Sequence, residues 1–120
     1  MPGWYGSFFV KFWQKAAMKV KYYEAVMSIL TDLTDLTEDD IINGRRTMEV
    51  VDARWLAVRL MKDIGMYPYQ IAELMAMSVR TVQYILIRFD DRMRFGDAML
   101  KIYLAMAKDR LAQLSETQTK

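Results

Sequence analysis

The stretch Gln70–Leu86, QIAELMAMSVRTVQYIL, decides the fold. Ile71 and Met75 stand four apart, as the inner residues of one helix do. Ala72 is small, as a residue must be where two helices touch near a turn. Ala76, four residues on, falls at the turn itself, where Gly is commoner. Ser78 offers a capping hydroxyl to a second helix. Val82 lies ten residues after Ala72 and Ile85 three further on, which puts both on the inner face. This spacing lets two helices cross closely and pushes the second outward, as in a helix-turn-helix. The second helix of such a motif enters a DNA major groove, so double-stranded DNA is the expected partner.

Composition agrees with a helical domain. The chain has 120 residues, and 53% are hydrophobic, enough for a packed core in one domain. Five Gly and two Pro are few interruptions, which favours long helices over many short strands. Cys and His are both absent, which excludes disulfides, thiolate chemistry, and the commonest general base and metal ligand. No metal, no cofactor and no enzymatic activity are expected. Net charge is only +2, but it is unevenly spread. Residues 18–44 hold two Lys against six acids, and residues 45–95 hold nine basic against six acidic side chains. The basic half contains the helix-turn-helix, the side that would face phosphate. No apolar run is long enough to span a membrane, and the N-terminus lacks the layout of a signal peptide. The expected location is cytoplasmic.

Outward from the motif, the pattern is helical throughout. In residues 1–17, Tyr5, Phe8, Phe9, Phe12, Trp13 and Ala16 form an aromatic stripe at helical spacing. Three readings stand for this extension: extra core packing, an upstream segment before a natural start at Met18, or an interfacial membrane anchor. Residues 19–33 form a helix with Tyr22, Val26, Ile29, Leu30 and Leu33 inside. Thr37–Asp40, TEDD, is a capping box that starts a short helix through Ile41 and Ile42, stopped at Asn43-Gly44. Thr47 caps a long helix to Ile64, with Gly65 following and Val51, Trp55, Val58, Leu60, Met61 and Ile64 among its inner positions. Pro68 opens the next helix. The helix capped by Ser78 runs to about Asp91, and Arg92–Asp97 is a break. Asp97 caps a last helix to about Leu114, with Met99, Ile102, Tyr103, Met106 and Leu114 as its apolar stripe. That helix either forms a homodimer surface or packs back and covers Trp55. The chain thus divides into an extension (1–17), a helix-turn-helix domain (18–95), a C-terminal helix (96–114) and a polar tail (115–120).

The span from about Tyr22 to Phe89 resembles the C-terminal DNA-binding domain of the bacterial replication initiator DnaA, whose fold is related to the Trp repressor. Three blocks carry the resemblance: Leu36–Arg46 (LTEDDIINGRR), Glu49–Arg54 (EVVDAR) and Ile71–Met75 (IAELM). It implies an all-α fold with a central helix-turn-helix, to which the helical spacing at the two ends of the chain adds extra N- and C-terminal helices. It also implies that Arg45, Arg46 and Arg54 hold phosphate and minor groove. The family carries Arg-Asp-His-(Thr/Ser)-Thr-Val after the turn. Here Met77–Val82 reads MSVRTV, so only Thr81 and Val82 agree. Trp55 stands where the family usually has Gln. No glycine-rich phosphate loop occurs, so the family's ATPase module is missing.

With Val82 and Ile85 inward, the second helix offers Ser78, Val79, Arg80 and Gln83 to base edges. Arg80 suits a guanine, Gln83 an adenine and Val79 a thymine methyl. Thr81, Tyr84 and Arg88 suit phosphate, as do Tyr69 and Gln70 at the start of the preceding helix. Arg92 and Arg94 would extend the basic surface unless Asp90 and Asp91 pair with them. Two functions follow. One is a sequence-specific regulator or replication accessory of a bacterium or mobile element. The other is a protein-interaction module on a helix-turn-helix scaffold with weak or no DNA binding.

Overall fold

The helix ends between Thr34 and Ala98 fall where local chemistry satisfies the end groups. The computed structural model describes the backbone of residues 3–118 and the side chains of residues 19–114. It contains α1 (Gly3–Thr34), α2 (Glu38–Asn43), α3 (Met48–Ile64), α4 (Pro68–Met75), α5 (Val79–Arg94) and α6 (Ala98–Gln118). No strand occurs among the described residues, so the fold is all-α. No described helix is long and apolar enough to cross a membrane.

The expected caps are in place. Thr37 accepts from the Asp40 N–H at 3.1 Å, and the Asp40 carboxylate accepts from the Thr37 N–H at 3.0 Å. Thr47, Ser78 and Asp97 accept in the same way from the N–H groups of Val50, Thr81 and Leu100. Three helices end in the same manner. Gly65, Ala76 and Gly96 adopt positive φ (113°, 54° and 83°), and the next N–H reaches back to Met61, Ala72 and Arg92 respectively. This pairing satisfies end carbonyls that would otherwise be orphaned. Ala76 bears the left-handed conformation without the freedom of glycine. Gly44 is a different case: its φ of −68° is ordinary, but a Cβ there would stand 2.2 Å from the Asp40 carbonyl oxygen.

The long helix α3 is the hub, in contact with each of the other five. Its buried residues, Val50, Ala53, Leu56, Ala57, Val58, Leu60 and Met61, wrap more than half its circumference, as expected of a helix enclosed on several sides. Val51, Trp55 and Ile64 lie half-buried at its margins. From α1, Val26, Met27, Ile29 and Leu30 enter the core, with Tyr22 and Leu33 half-buried against it. The Tyr23 hydroxyl donates to Glu38 at 2.5 Å and ties α1 to α2.

Three boundaries differ from the sequence expectation. The backbone of residues 3–17 is continuous with α1, and the expected aromatic stripe falls on side chains outside those described. Helix α5 continues past Asp91 to Arg94, so the break is confined to Phe95, Gly96 and Asp97. Helix α6 runs through residues 115–118, where a polar tail was expected. Its expected stripe is also corrected. Leu100, Leu104 and Ala107 enter the core, and Tyr103 and Leu111 pack at its edge. Met99, Ile102, Met106 and Leu114 remain exposed. The helix carries two apolar stripes, and spacing alone does not say which one meets α1 and α3.

Candidate nucleic-acid interface

The helix-turn-helix is built from α4, a three-residue turn and α5. Ile71, Ala72 and Met75 anchor the first helix, and Val82, Ile85 and Phe89 anchor the second, all buried. The turn is closed by the Met77 N–H on the Ala72 carbonyl at 3.0 Å. The Ser78 and Thr81 hydroxyls lie 2.8 Å apart, so the two residues order the first turn of α5 together. With its inner face held by fully buried side chains, α5 cannot rotate without opening the core. Its opposite face is therefore presented in one orientation.

Along that face, Val79, Arg80, Gln83, Tyr84 and Arg88 are all exposed. Neither Arg80 nor Gln83 has a hydrogen-bond or ion-pair partner among the described residues. Tyr84 meets Trp55 edge-on, with ring centres 6.3 Å apart, and Arg88 lies 5.8 Å over the Tyr84 ring. Arg88 also stands 4.0 Å from Asp91, an exposed and weak pair. Trp55, Tyr84 and Arg88 thus form a ladder from α3 onto the surface of α5. Trp55 is further covered by the Arg92 guanidinium, 5.4 Å over its ring.

At the start of α4, Tyr69 is exposed and stacks on Tyr67, with ring centres 6.0 Å apart and planes 5° from parallel. Gln70 does not join it as a surface contact, which corrects the expectation. It is buried; its side-chain oxygen accepts from the Tyr67 N–H at 3.0 Å, and its amide donates to the Tyr69 hydroxyl at 3.3 Å. As the third residue of α4, Gln70 reaches back to an unpaired N–H at the helix start, a role the sequence rules for capping allow.

Arg54, expected at the DNA backbone, has partners inside the chain. Its Nε donates to the Ile41 carbonyl at 2.8 Å, and one Nη lies 3.4 Å from each of the Ile42 and Gly44 carbonyls. The guanidinium thus closes the C-terminus of α2 and holds the loop that carries Arg45 and Arg46, both exposed. Burial, then the nearby charge of Arg46, push the Arg54 pKa below its usual range. A cleft lined by Ile42, Asn43 and Leu74 sets the start of this basic loop beside α4.

Arg92 and Arg59 are engaged elsewhere. Arg92 bonds to Asp52 at 2.8 Å and to Asp97 at 2.6 Å. Burial opposes its charge, but these two bonds outweigh that and hold its pKa above the usual range. Arg59 pairs with Asp63 and Asp90. Asp90 thus turns to Arg59 and Asp91 toward Arg88, and neither pairs with Arg92, because residues one or two apart on a helix do not face each other. Arg94 has no such partner among the described residues. Sequence reasoning also missed Ile87, 65% exposed on the same face as Arg80 and Gln83. Its position, seven after Arg80 and four after Gln83, was the available signal.

No protein-family model, curated protein or solved structure matches this chain.

Proposed function

We propose that this is a non-enzymatic protein that binds double-stranded DNA through its helix-turn-helix, as a cytoplasmic transcription regulator or replication accessory. One observation carries the reading: Arg80 and Gln83 lie exposed, and without partners among the described residues, at the start of a helix whose inner face is locked by Val82, Ile85 and Phe89. Side chains at that point of a recognition helix reach base edges. Arg80 supplies a bidentate donor for guanine and Gln83 a donor–acceptor pair for adenine. The Arg45–Arg46 loop, Tyr69, Thr81, Tyr84 and Arg88 supply backbone contacts around it. The resemblance to the DnaA DNA-binding domain supports the same arrangement. The different residues after the turn support a different target sequence.

Selection of bound duplexes from a random pool, at two salt concentrations, tests this. The expected result is an enriched motif containing guanine. Arg80→Ala should keep the fold and lose about 1–3 kcal/mol of preference at that base. A variant with unchanged sequence preference refutes base reading by Arg80. Exposure of Tyr84 and Ile87 on the same face favours a second reading, a protein-interaction module. Absence of duplex retention even at low salt would select it.

A further inference from the structure

The corner between α5 and α6 carries a plug and a socket side by side. The socket is a cavity of about 360 Å³ between α3 and the start of α6, within the size range of small-ligand sites. Ala53 and Leu56 form its apolar floor, and Met48 and Met99, both largely exposed, stand at its sides. Its charged lining is three carboxylates (Glu49, Asp52, Asp97) against one guanidinium (Arg92), a formal sum of −2. Arg92 is bonded to Asp52 and Asp97. Glu49 is exposed and has no cationic partner among the described residues.

The plug is Phe95. It is 84% exposed, the most exposed of the large hydrophobic side chains described. It does not sit on a loose loop. Its N–H donates to the Asp91 carbonyl at 3.0 Å, and the Asp97 N–H donates to the Arg92 carbonyl at 3.2 Å across Gly96. A rigid turn therefore holds an aromatic ring in water, where covering it would release free energy. The preceding residue, Arg94, is exposed and unpaired among the described residues.

We propose that two copies of this chain associate through this corner, each Phe95 entering the cavity of the other and each Arg94 meeting the partner copy's Glu49. Arg92 and Asp97 both line the cavity and flank Phe95, so plug and socket share one side of the molecule. A two-fold axis beside the corner brings each plug to the opposite socket, which is the self-complementary contact of a symmetric dimer. The charges match: a cation travels with the ring, and the socket carries net negative charge with one carboxylate free. The exposed Ile102 and Met106 extend the apolar surface along α6 beyond the cavity.

Sedimentation equilibrium of the full chain, without DNA, tests the association separately from the DNA reading. The expected result is a reversible monomer–dimer equilibrium. Phe95→Ala should weaken it roughly tenfold or more, as loss of a central aromatic anchor does. Glu49→Arg and Arg94→Glu should each weaken it, and the two together should restore it toward the parent value. Phe95, Glu49 and Arg94 are all exposed, and although Glu49 and Arg94 complement the dipoles of α3 and α5, that effect is under about 1 kcal/mol, so each variant should fold, as circular dichroism would check. A monomer at every concentration, a dimer indifferent to Phe95→Ala, or a double variant no tighter than the singles would each overturn the proposal.

Discussion

Arg54 is the residue for which the resemblance and the structure disagree, and Arg54→Met separates the two. The resemblance assigns its guanidinium to DNA. The structure turns it onto three carbonyls at the end of α2, one at 2.8 Å and two at 3.4 Å. Methionine keeps most of the apolar stem and removes only the donors. A hydrogen bond from a charged donor contributes about 1.5–3 kcal/mol, and the 2.8 Å contact is the one that qualifies. The two longer contacts add little, because the half-exposed Ile42 and Gly44 carbonyls can regain water. Against this stands a gain: the variant removes a charge that burial and Arg46 already disfavour. The net expectation is a loss of about 2 kcal/mol in urea unfolding, followed by circular dichroism, or roughly 6–10 °C in Tm. Arg54→Lys should recover only part of it, since its ammonium can reach one carbonyl but lacks the fixed Nε–H that points at the Ile41 carbonyl from the guanidinium plane. If Arg54→Met unfolds within about 0.5 kcal/mol of the parent while duplex affinity collapses, the reasoning fails. The guanidinium then belongs to the DNA contact.

Two further substitutions probe the frame that holds the site. Gly44→Ala places a Cβ 2.2 Å from the Asp40 carbonyl oxygen, an atom that already accepts the Gly44 N–H at 2.8 Å. Neither backbone segment can yield without breaking that bond, so chemical denaturation should show a loss of about 1–3 kcal/mol. The Asp97 carboxyl is held below its ordinary value of 3.8 by the Arg92 hydrogen bond and then by the Leu100 N–H. Its contribution is therefore present above the ordinary aspartate range and lost as pH falls through the folded value. Asp97→Asn should flatten the decline of stability below about pH 4, measured by urea unfolding across pH.

Features set by neighbours in the chain were legible from sequence, and features set by distant neighbours were not. Thr37, Thr47, Ser78 and Asp97 each cap within three residues, so local spacing exposes them. Pro68, Gly65 and the inward pair Val82 and Ile85 follow from the same short-range geometry. Gln70 was misplaced because a helix start is exposed in general, whereas this one turns its third side chain back onto the Tyr67 N–H. The bond from Arg92 to Asp52 joins residues 40 apart and has no sequence signature. The stripe on α6 failed for a different reason. A helix with apolar residues on two faces gives two equally periodic patterns, and only packing against α1 and α3 selects one.

The formal charge of +2 understates what the face proposed to meet DNA can do, because the pairing of charges is not uniform. Arg59, Arg92, Lys108 and Arg110 bind carboxylates across α1, α3, α5 and α6. Those cations tie the scaffold together and contribute little field outside it. Arg45, Arg46 and Arg80 have no ion pair among the described residues, and Arg88 has only the 4.0 Å contact with Asp91. Unpaired charge is what draws phosphate and releases counterions. On the proposed reading, with Arg80 on a base, Arg45, Arg46 and Arg88 are the cations left to meet phosphate. Each contributes about −0.9 to the slope of log affinity against log salt, so the expected slope is about −3. Titration of a labelled duplex across a salt series measures it. A slope near zero would mean that these arginines meet no phosphate. A slope twice as steep would mean that further cations, the unpaired Arg94 first among them, also meet phosphate.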